Sequence, residues 1–222
     1  MSACVTLTRF QSLMCHTLKL LLIIILRRIY DKINRNVGFR KNSGTREGIF
    51  NLRILVEKYI DTEKDVYACF IDYSKAFDTV KHKELIESLK TTDIDDNDIA
   101  LISNLYWQQI TQIRINNEIS EPLTIQRGVR QGCVLSPALF NLYTDIIFRN
   151  VEHLRGLNVG GMNINNLRYA DDTVLIAETE EDLQDIVDIV KTESENVGLF
   201  MNVKKTKTML FSKRKRQREN IN

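Results

Sequence analysis

Apolar residues recur along this chain at two spacings, one typical of helices and the other of strands. Helical spacing, with apolar positions three or four residues apart, covers four segments: 17–33, 49–60, 83–90 and 181–198. Three short apolar runs are typical of strands: 66–72, 162–170 and 173–179. Because helices and hairpin strands are mixed along the chain, the pattern predicts an α+β fold rather than a doubly wound α/β sheet.

Capping and turn residues indicate three further elements. The acidic run 93–98 supplies N-cap side chains for another helix. Asn116 and Asn117 lie between two strand-like runs and predict a hairpin. Ser136 followed by Pro137 predicts a helix with Ser136 at its N-cap and Pro137 at its first helical position.

The composition is that of a soluble globular protein. The chain has 222 residues, of which 43% are hydrophobic and 27% are charged. Its one membrane-like segment, LLLIIIL at 20–26, is flanked by Lys19, Arg27 and Arg28. A membrane-spanning helix needs about 20 apolar residues, and no small-residue cleavage site follows. We therefore expect a buried helix here, no signal peptide or transmembrane helix, and an intracellular protein.

Cysteine spacing and charge distribution bear on what the protein could bind. Cys4, Cys15, Cys69 and Cys133 form no CxxC pair and have no matching histidine spacing, which argues against a zinc site or a disulfide framework. The tail KRKRQR (213–218) carries five positive charges, and without it 26 Lys and Arg face 29 Asp and Glu. A basic tail on a mildly acidic body favours contact with polyanions such as nucleic acid, and a solvated terminus is the alternative.

Three aspartates form the candidate chemistry. Asp171 and Asp172 are adjacent within LRYADDTVLIA (167–177), where two like charges repel and are costly to bury. At the tip of a hairpin both can reach an exposed rim and share divalent cations. Asp72 ends the strand-like run 66–72 and is a candidate third ligand. Such a set is typical of two-metal phosphoryl transfer; the residues alone leave open that these acids are turn residues or N-caps.

Four sequence blocks surround these aspartates in a fixed order. They are FIDYSKAFDTV (70–80), RGVRQGCVLSPALFNLY (127–143), YADDTVLIA (169–177) and GLFMNVKKTKTML (198–210). Together they closely resemble the reverse transcriptase domain of non-LTR retrotransposons and its relatives in group II introns and retrons.

The resemblance extends upstream. NVGFRKNSGTREGI (36–49) is similar to the fingers segment of that family. RFQSLMCHTLKLLLIIILRRI (9–29) is similar to a segment that usually begins Arg-Pro-Ile-Ser-Leu, without its proline. In total the resemblance covers roughly residues 9–212.

The resemblance implies a metal site. Asp72 and Asp171 would be the main ligands of two Mg²⁺ ions, with Mn²⁺ as a possible substitute, and Asp172 would support them. Lys205 matches the lysine of the family's last block, a candidate general acid for pyrophosphate departure. Its close rivals are Lys204 and Lys207, and a solvated basic cluster is the alternative.

It also implies a nucleotide pocket. Phe77 matches the position that excludes a ribose 2′-hydroxyl, and a purely structural core residue is the alternative. Gln131 matches a residue near the sugar of the incoming nucleotide, and Gly132 would let the backbone approach the templating base pair. Arg40, Lys41 and Arg46 are the candidates for gripping the triphosphate. Arg127, Arg130 and Tyr169 are the candidates for contacts with nucleic acid.

The implied architecture is the right-hand polymerase fold, with an antiparallel palm sheet and helices packed on one face. Residues 1–65 would form partial fingers, 66–212 the palm with a fingers insertion at about 82–130, and 213–222 a basic tail. In the family a hairpin and a helical thumb follow the last block, so we expect a domain that is truncated at the thumb.

The expected function is RNA-directed DNA synthesis by a nucleotidyltransferase. The partners would be an RNA template, a DNA primer and dNTPs, with no membrane. The alternative is a catalytically weak or inactive retroelement remnant that binds nucleic acid. An RNA-dependent RNA polymerase is disfavoured because Phe77 would clash with a ribose 2′-hydroxyl.

Overall fold

The computed structural model describes residues 16–33, 45–106, 109–115, 118–130 and 132–213. Three of the predicted site residues, Arg40, Lys41 and Gln131, lie outside the described residues, as does the basic tail from residue 214 onward. The order of elements in the described part confirms the predicted α+β class.

Seven helices and ten strands occur in these ranges. The helices are α1 (His16–Ile33), α2 (Thr45–Asp61), α3 (Ala76–Thr79), α4 (His82–Lys90), α5 (Asp96–Tyr106), α6 (Ser136–Arg149) and α7 (Glu180–Val197). The strands are β1 (Val66–Ile71), β2 (Ile110–Thr111), β3 (Arg114–Ile115), β4 (Glu118–Ile119), β5 (Leu123–Thr124), β6 (Leu157–Val159), β7 (Met162–Ile164), β8 (Asn166–Tyr169), β9 (Asp172–Ala177) and β10 (Lys207–Phe211).

The main sheet has four strands in the order β10-β1-β9-β8, and every pairing is antiparallel. Three two-stranded ribbons, β2–β5, β3–β4 and β6–β7, lie outside it. The pairing of β1 with β9 joins residues about a hundred positions apart, with Ile71 opposite Thr173. The ends of these two strands therefore bring the first and third sequence blocks together.

Each face of the sheet is covered by a separate apolar cluster. Alternation along β1 sends Cys69 and Ile71 into a large cluster with α6 and α7, where Phe140 and Ile186 are fully buried. Ala68 and Phe70, which alternate with them, face a smaller cluster. There α2 contributes Leu55, Val56 and Tyr59. Helix α2 thus covers the face opposite α6 and α7, which adds a layer to the expected arrangement of helices on one face.

The membrane-like segment belongs to α1 and is partly buried. Leu22, Ile25 and Ile29 are almost fully buried in the large cluster, whereas Leu20 and Ile24 are exposed. In the ranges that the structure describes, no helix combines the length and the hydrophobicity that a bilayer crossing needs.

Two local predictions need correction. Leu135, not Ser136, is the N-cap of α6, and the Ser136 hydroxyl instead donates a 2.6 Å hydrogen bond to the carbonyl of Arg130. The run 162–170 is also not one strand but β7 and β8, divided at Asn165. The buried Asn165 amide donates to the carbonyls of Val151 and Leu154, so it ties this break to the turn after α6.

His82 anchors the loop that leads into α6. It is buried to 5% exposure, its Nε2 lies 2.8 Å from the carbonyl of Gly128, and its ring packs edge-on against Tyr106. Because the carbonyl only accepts, Nε2 carries the proton in this contact. Burial first, and then the charge of Arg130, lower the pKa of His82 below its usual 6.5, while the contact with Gly128 opposes this shift.

We expect acidification to destabilise the fold through His82. Between the lowered folded pKa and the unfolded value of 6.5 the unfolded chain binds the proton more readily, so stability is lost as pH falls through this window. Urea unfolding at about pH 7.5 and about pH 5.5 should show a larger loss for the wild type than for His82→Gln, whose amide can still donate to Gly128. The exposed His153→Gln is the matched control. An equal loss in the wild type and His82→Gln would contradict the assignment.

Candidate active site

The sheet register brings two of the predicted aspartates to neighbouring strand ends. Asp72 directly follows β1, and Asp172 is the first residue of β9. The last pair of the ladder is Ile71 opposite Thr173, so one further step sets Asp72 opposite Asp172. Residues that lie directly opposite each other on antiparallel strands have their side chains on the same face of the sheet, so the side chains of Asp72 and Asp172 share a face.

Asp171 reaches the same edge through a tight turn. Tyr169 and Asp172 are the last pair between β8 and β9, which leaves Ala170 and Asp171 as a two-residue loop. Ala170 has φ +54°, and Asp171 is not among the residues of positive φ. This sign pattern is that of a type II′ turn, which normally has glycine first. Left-handed backbone costs an alanine about 1–2 kcal/mol, so the sharp presentation of Asp171 carries local strain.

The three carboxylates form one electrostatic group. Partial burial is the main cause that raises the pKa of Asp172, and the charges of Asp171 and Asp72 raise it further. Asp72 Oδ2 is buried and accepts no hydrogen bond from the described part of the chain. A divalent cation would relieve the mutual repulsion and could coordinate Asp72 Oδ2, which has an ion pair with Lys205 but accepts no hydrogen bond, so this donor set fits Mg²⁺ or Mn²⁺. As the side chains stand, no three acidic, His or Cys groups of the described residues converge closely enough to enclose an ion.

Lys205 is the lysine of its cluster that contacts the acidic group. Its Nζ lies 3.5 Å from Asp72 Oδ2. The backbone holds it there, because the N–H of Asn202 donates to the carbonyl of Asp72 at 2.7 Å and the N–H of Lys205 donates to the carbonyl of Asn202 at 3.0 Å. Its rival Lys204 does not line the cleft beside the aspartates. The other rival, Lys207, begins β10 and does not line it either.

A cleft of about 830 Å³ opens beside the aspartates. It is large enough for a drug-sized or nucleotide-sized ligand. Six of the predicted site residues line its wall: Asp72, Phe77, Arg130, Gly132, Asp171 and Lys205.

Phe77 lines the cleft and also packs on the core. Its ring stacks on Phe140, with ring centroids 4.5 Å apart and planes 23° from parallel. Its carbonyl accepts a hydrogen bond from the N–H of Val129 at 2.8 Å. Phe77 can therefore be both a core residue and a wall of the cleft, because one side of its ring packs on the core and the other can face the cleft.

The loop before α6 contributes two further positions. Gly132 has φ +78° and open space where a side chain would stand, so its backbone is accessible from the cleft. Arg130 lines the cleft, but its Nη2 already donates to the carbonyl of Leu105 at 3.0 Å. Part of the guanidinium is thus used to hold the loop to α5.

Four of the predicted residues that the structure describes do not line the cleft: Asp172, Arg46, Arg127 and Tyr169. Arg46 lies exposed on the first turn of α2, and Arg127 is exposed beside the start of α4, where its backbone bridges to Lys81. Tyr169 is half-buried at the end of β8.

The cleft also contains residues that the sequence did not single out. Lys75 has φ +51° at the start of α3, is exposed and lines the cleft, as do Ser74 and Asn202. Their position in the sequence could have identified two of them, because Ser74 and Lys75 lie between the predicted site residues Asp72 and Phe77. Lys75 and Lys205 add positive charge to a cleft that also contains Asp72 and Asp171, and this combination suits a phosphate ester that is bound to a divalent cation.

The chain is similar to polymerases of mobile elements. The family described as reverse transcriptase (RNA-dependent DNA polymerase) matches residues 5–221. The retrovirus-related Pol polyprotein of element R2 from Nasonia vitripennis is 30% identical over 79% of this chain and 17% of its own length. That of element R2DM from Drosophila melanogaster is 30% identical over 84% of this chain and 18% of its own length. The chain thus spans less than a fifth of either relative.

Solved structures of telomerase have a similar fold. Apo telomerase from Candida tropicalis, truncated from its C-terminal domain, superposes with a TM-score of 0.61. The match covers 92% of this chain and 41% of that one at 17% identity. Telomerase from Candida albicans with a fragment of telomeric RNA gives a TM-score of 0.61 over 86% of this chain and 33% of that one, at 13% identity.

Divalent cations should stabilise this chain through the three carboxylates. We expect millimolar Mg²⁺ to raise the melting temperature by the equivalent of about 1 kcal/mol. Asp171→Asn should lose most of this shift, yet melt higher than the wild type in chelator because one repelling charge is gone. Asp185→Asn, on the exposed face of α7, is the control and should retain the shift. The melting temperatures are measured by calorimetry. An equal Mg²⁺-induced rise in the wild type and in Asp171→Asn would contradict the predicted metal site.

Proposed function

Because the chain belongs to the reverse transcriptase family, among relatives from non-LTR retrotransposons, we propose that it extends a DNA primer on an RNA template with dNTPs. The observation that carries the proposal is that Asp72, Asp171 and Asp172 lie at neighbouring strand ends, near enough for their charges to interact, beside a cleft of about 830 Å³. Residues 66–212 would form the palm, with a fingers insertion at about 82–130, and 1–65 would belong to the fingers.

The aspartates would hold the metal ions of the reaction. Asp72 and Asp171 would be the main ligands, and Asp172 would add negative charge from the next position of β9. When bound, two divalent cations lower the pKa of the primer 3′-hydroxyl and stabilise charge on the α-phosphate. The role of the protein would be to hold the carboxylates in position before the substrate binds. Their location at strand ends and on a tight turn favours this.

Neighbouring side chains would orient the nucleotide. Phe77, fixed on Phe140, would stand under the sugar and leave no room for a 2′-hydroxyl. Lys205, 3.5 Å from Asp72, would move from this carboxylate to the departing pyrophosphate and donate a proton to it. Lys75 would add charge on the same wall as Phe77. Gln131 and Gly132 would contact the incoming nucleotide, Arg40, Lys41 and Arg46 the triphosphate, and Arg127, Arg130 and Tyr169 the nucleic acid.

The test is primer extension by the chain on a primed RNA template, with dNTPs and Mg²⁺. We expect Asp72→Asn and Asp171→Asn each to lower kcat by about a hundredfold or more, the scale of losing one preorganised electrostatic contact. The exposed Asp185→Asn should extend the primer at the wild-type rate. Salt-dependent RNA binding without any extension by the wild type would overturn the proposal in favour of a non-catalytic nucleic-acid-binding remnant.

Phe77 supplies a test of nucleotide selection. We expect Phe77→Val to lower the preference for dNTP over NTP, measured as the ratio of kcat/KM values, by about tenfold or more, because space opens for the 2′-hydroxyl. Phe140→Leu is the matched control. It disturbs the packing under Phe77 but retains the Phe77 ring, so it should keep the preference for dNTP. If Phe77→Val melts earlier and discriminates as well as the wild type, its role is purely structural.

A further inference from the structure

The strand that leads into the Asp171 turn packs through Leu167 on the apolar cluster that α2 covers, and its other face lies toward α6. Strand β8 is four residues long, lies at the edge of the main sheet and pairs only with β9 among the described strands. All four of its residues are half-buried and none is fully buried. Edge strands of this kind open more readily than central ones. The position of Asp171 therefore depends on the contacts that hold β8 to the helices on its two faces, of which α6 is one.

Arg168 joins the other face of β8 to α6 by a polar contact. It pairs with Thr173 across the ladder, one position before Tyr169, so it points to the face opposite Asp172. On that face its guanidinium lies over the ring of Phe148, with Cζ 4.4 Å from the centroid, and its Nη2 is 3.5 Å from Asp145 Oδ1. Both partners belong to α6.

The same contact is a poor source of stability. Asp145 is almost fully buried and already has a shorter ion pair, at 2.8 Å, with Arg149 on its own helix. Arg168 keeps only 20% of its side chain exposed, and its Nη1 is buried without a hydrogen-bond partner in the described part of the chain. A buried cation with an unsatisfied donor costs desolvation that one ion pair hardly offsets. What the contact does supply is a defined position for β8 on α6.

We propose that the Arg168–Asp145 contact, seated on Phe148, is a positioning device that holds β8 against α6 and thereby keeps the Ala170–Asp171 turn in its strained conformation. Ala170, at φ +54°, is two residues beyond Arg168. If β8 detached, the turn would relax toward ordinary φ values, and Asp171 would leave the edge it shares with Asp72. The consequence for metal binding rests on the proposed function, whereas the consequence for the hairpin does not.

The chain offers a matched pair of variants. Arg168→Met removes the cation from β8 but leaves Asp145 paired with Arg149, so no buried carboxylate is orphaned. Arg149→Met removes the other cation from the same carboxylate without touching β8. Arg168→Lys retains a charge of shorter reach and covers the case in which Arg168→Met does not fold.

Three measurements separate positioning from general stability. In metal-free protein, amide hydrogen exchange over 166–173 should accelerate about tenfold in Arg168→Met and stay near the wild-type rate in Arg149→Met. Mn²⁺ affinity, from electron paramagnetic resonance, should fall several-fold only in Arg168→Met. In primer extension kcat should fall while KM for the template–primer stays unchanged. Arg168→Lys should lie between Arg168→Met and the wild type.

Two results would overturn the proposal. One is hydrogen exchange and Mn²⁺ affinity within about twofold of the wild type in Arg168→Met, or in Arg168→Lys if the first variant does not fold. The other is an equal effect from Arg149→Met, which would assign the change to the charge balance of Asp145. If the wild type neither binds Mn²⁺ nor extends a primer, the proposed function fails, and the exchange of the hairpin amides still decides whether Arg168 positions β8.

Discussion

Mutual repulsion among Asp72, Asp171 and Asp172 is the constraint on which the rest of this structure depends. Partial burial, and then the charges of Asp171 and Asp72, raise the pKa of Asp172, so gathering the three carboxylates at neighbouring strand ends disfavours the folded state. They stay together because the hydrogen-bonded ladder between β1 and β9 brings Asp72 opposite Asp172, and a two-residue turn sets Asp171 beside it. Stability elsewhere must offset this local cost, which is common at functional sites.

Two anchors on the face covered by α6 and α7 help to offset this cost. At the end of β1, Asp72 points toward the acidic edge, while the next residue, Tyr73, is buried and bonds through its hydroxyl to Ser194 of α7 at 3.0 Å. On β8, Arg168 contacts α6, and the turn beyond it carries Asp171. At the ends of β1 and β8, an aspartate for the proposed chemistry therefore lies within three residues of a side chain that fixes the backbone to a helix. The same division holds for Phe77, whose ring is fixed on Phe140 and exposed to the cleft.

Much of the fold could be read from local pattern, and the errors have a common cause. Helices α1, α2, α4 and α7 and strands β1 and β9 followed from apolar periodicity, and α5 and α6 followed from capping residues. Ser136 was misplaced as an N-cap because its hydroxyl is taken by the carbonyl of Arg130, six residues earlier, in a loop whose course no local rule predicts. The break between β7 and β8 depends on Asn165, which bonds to carbonyls 11 and 14 residues away. In each case a non-local hydrogen bond replaced the local one that the pattern favoured.

The order of residues was sufficient to identify the family, because four ordered blocks carried the resemblance, and to predict the candidate ligands, because carboxylates at strand ends and an acidic pair at a hairpin tip are local features. It could not give distances between residues a hundred positions apart. That Lys205 rather than Lys204 or Lys207 pairs with Asp72, that Arg130 is engaged by Leu105, and that Arg168 joins β8 to α6 all follow from how helices pack on the sheet. Such contacts depend on packing across the whole core, which local periodicity does not encode.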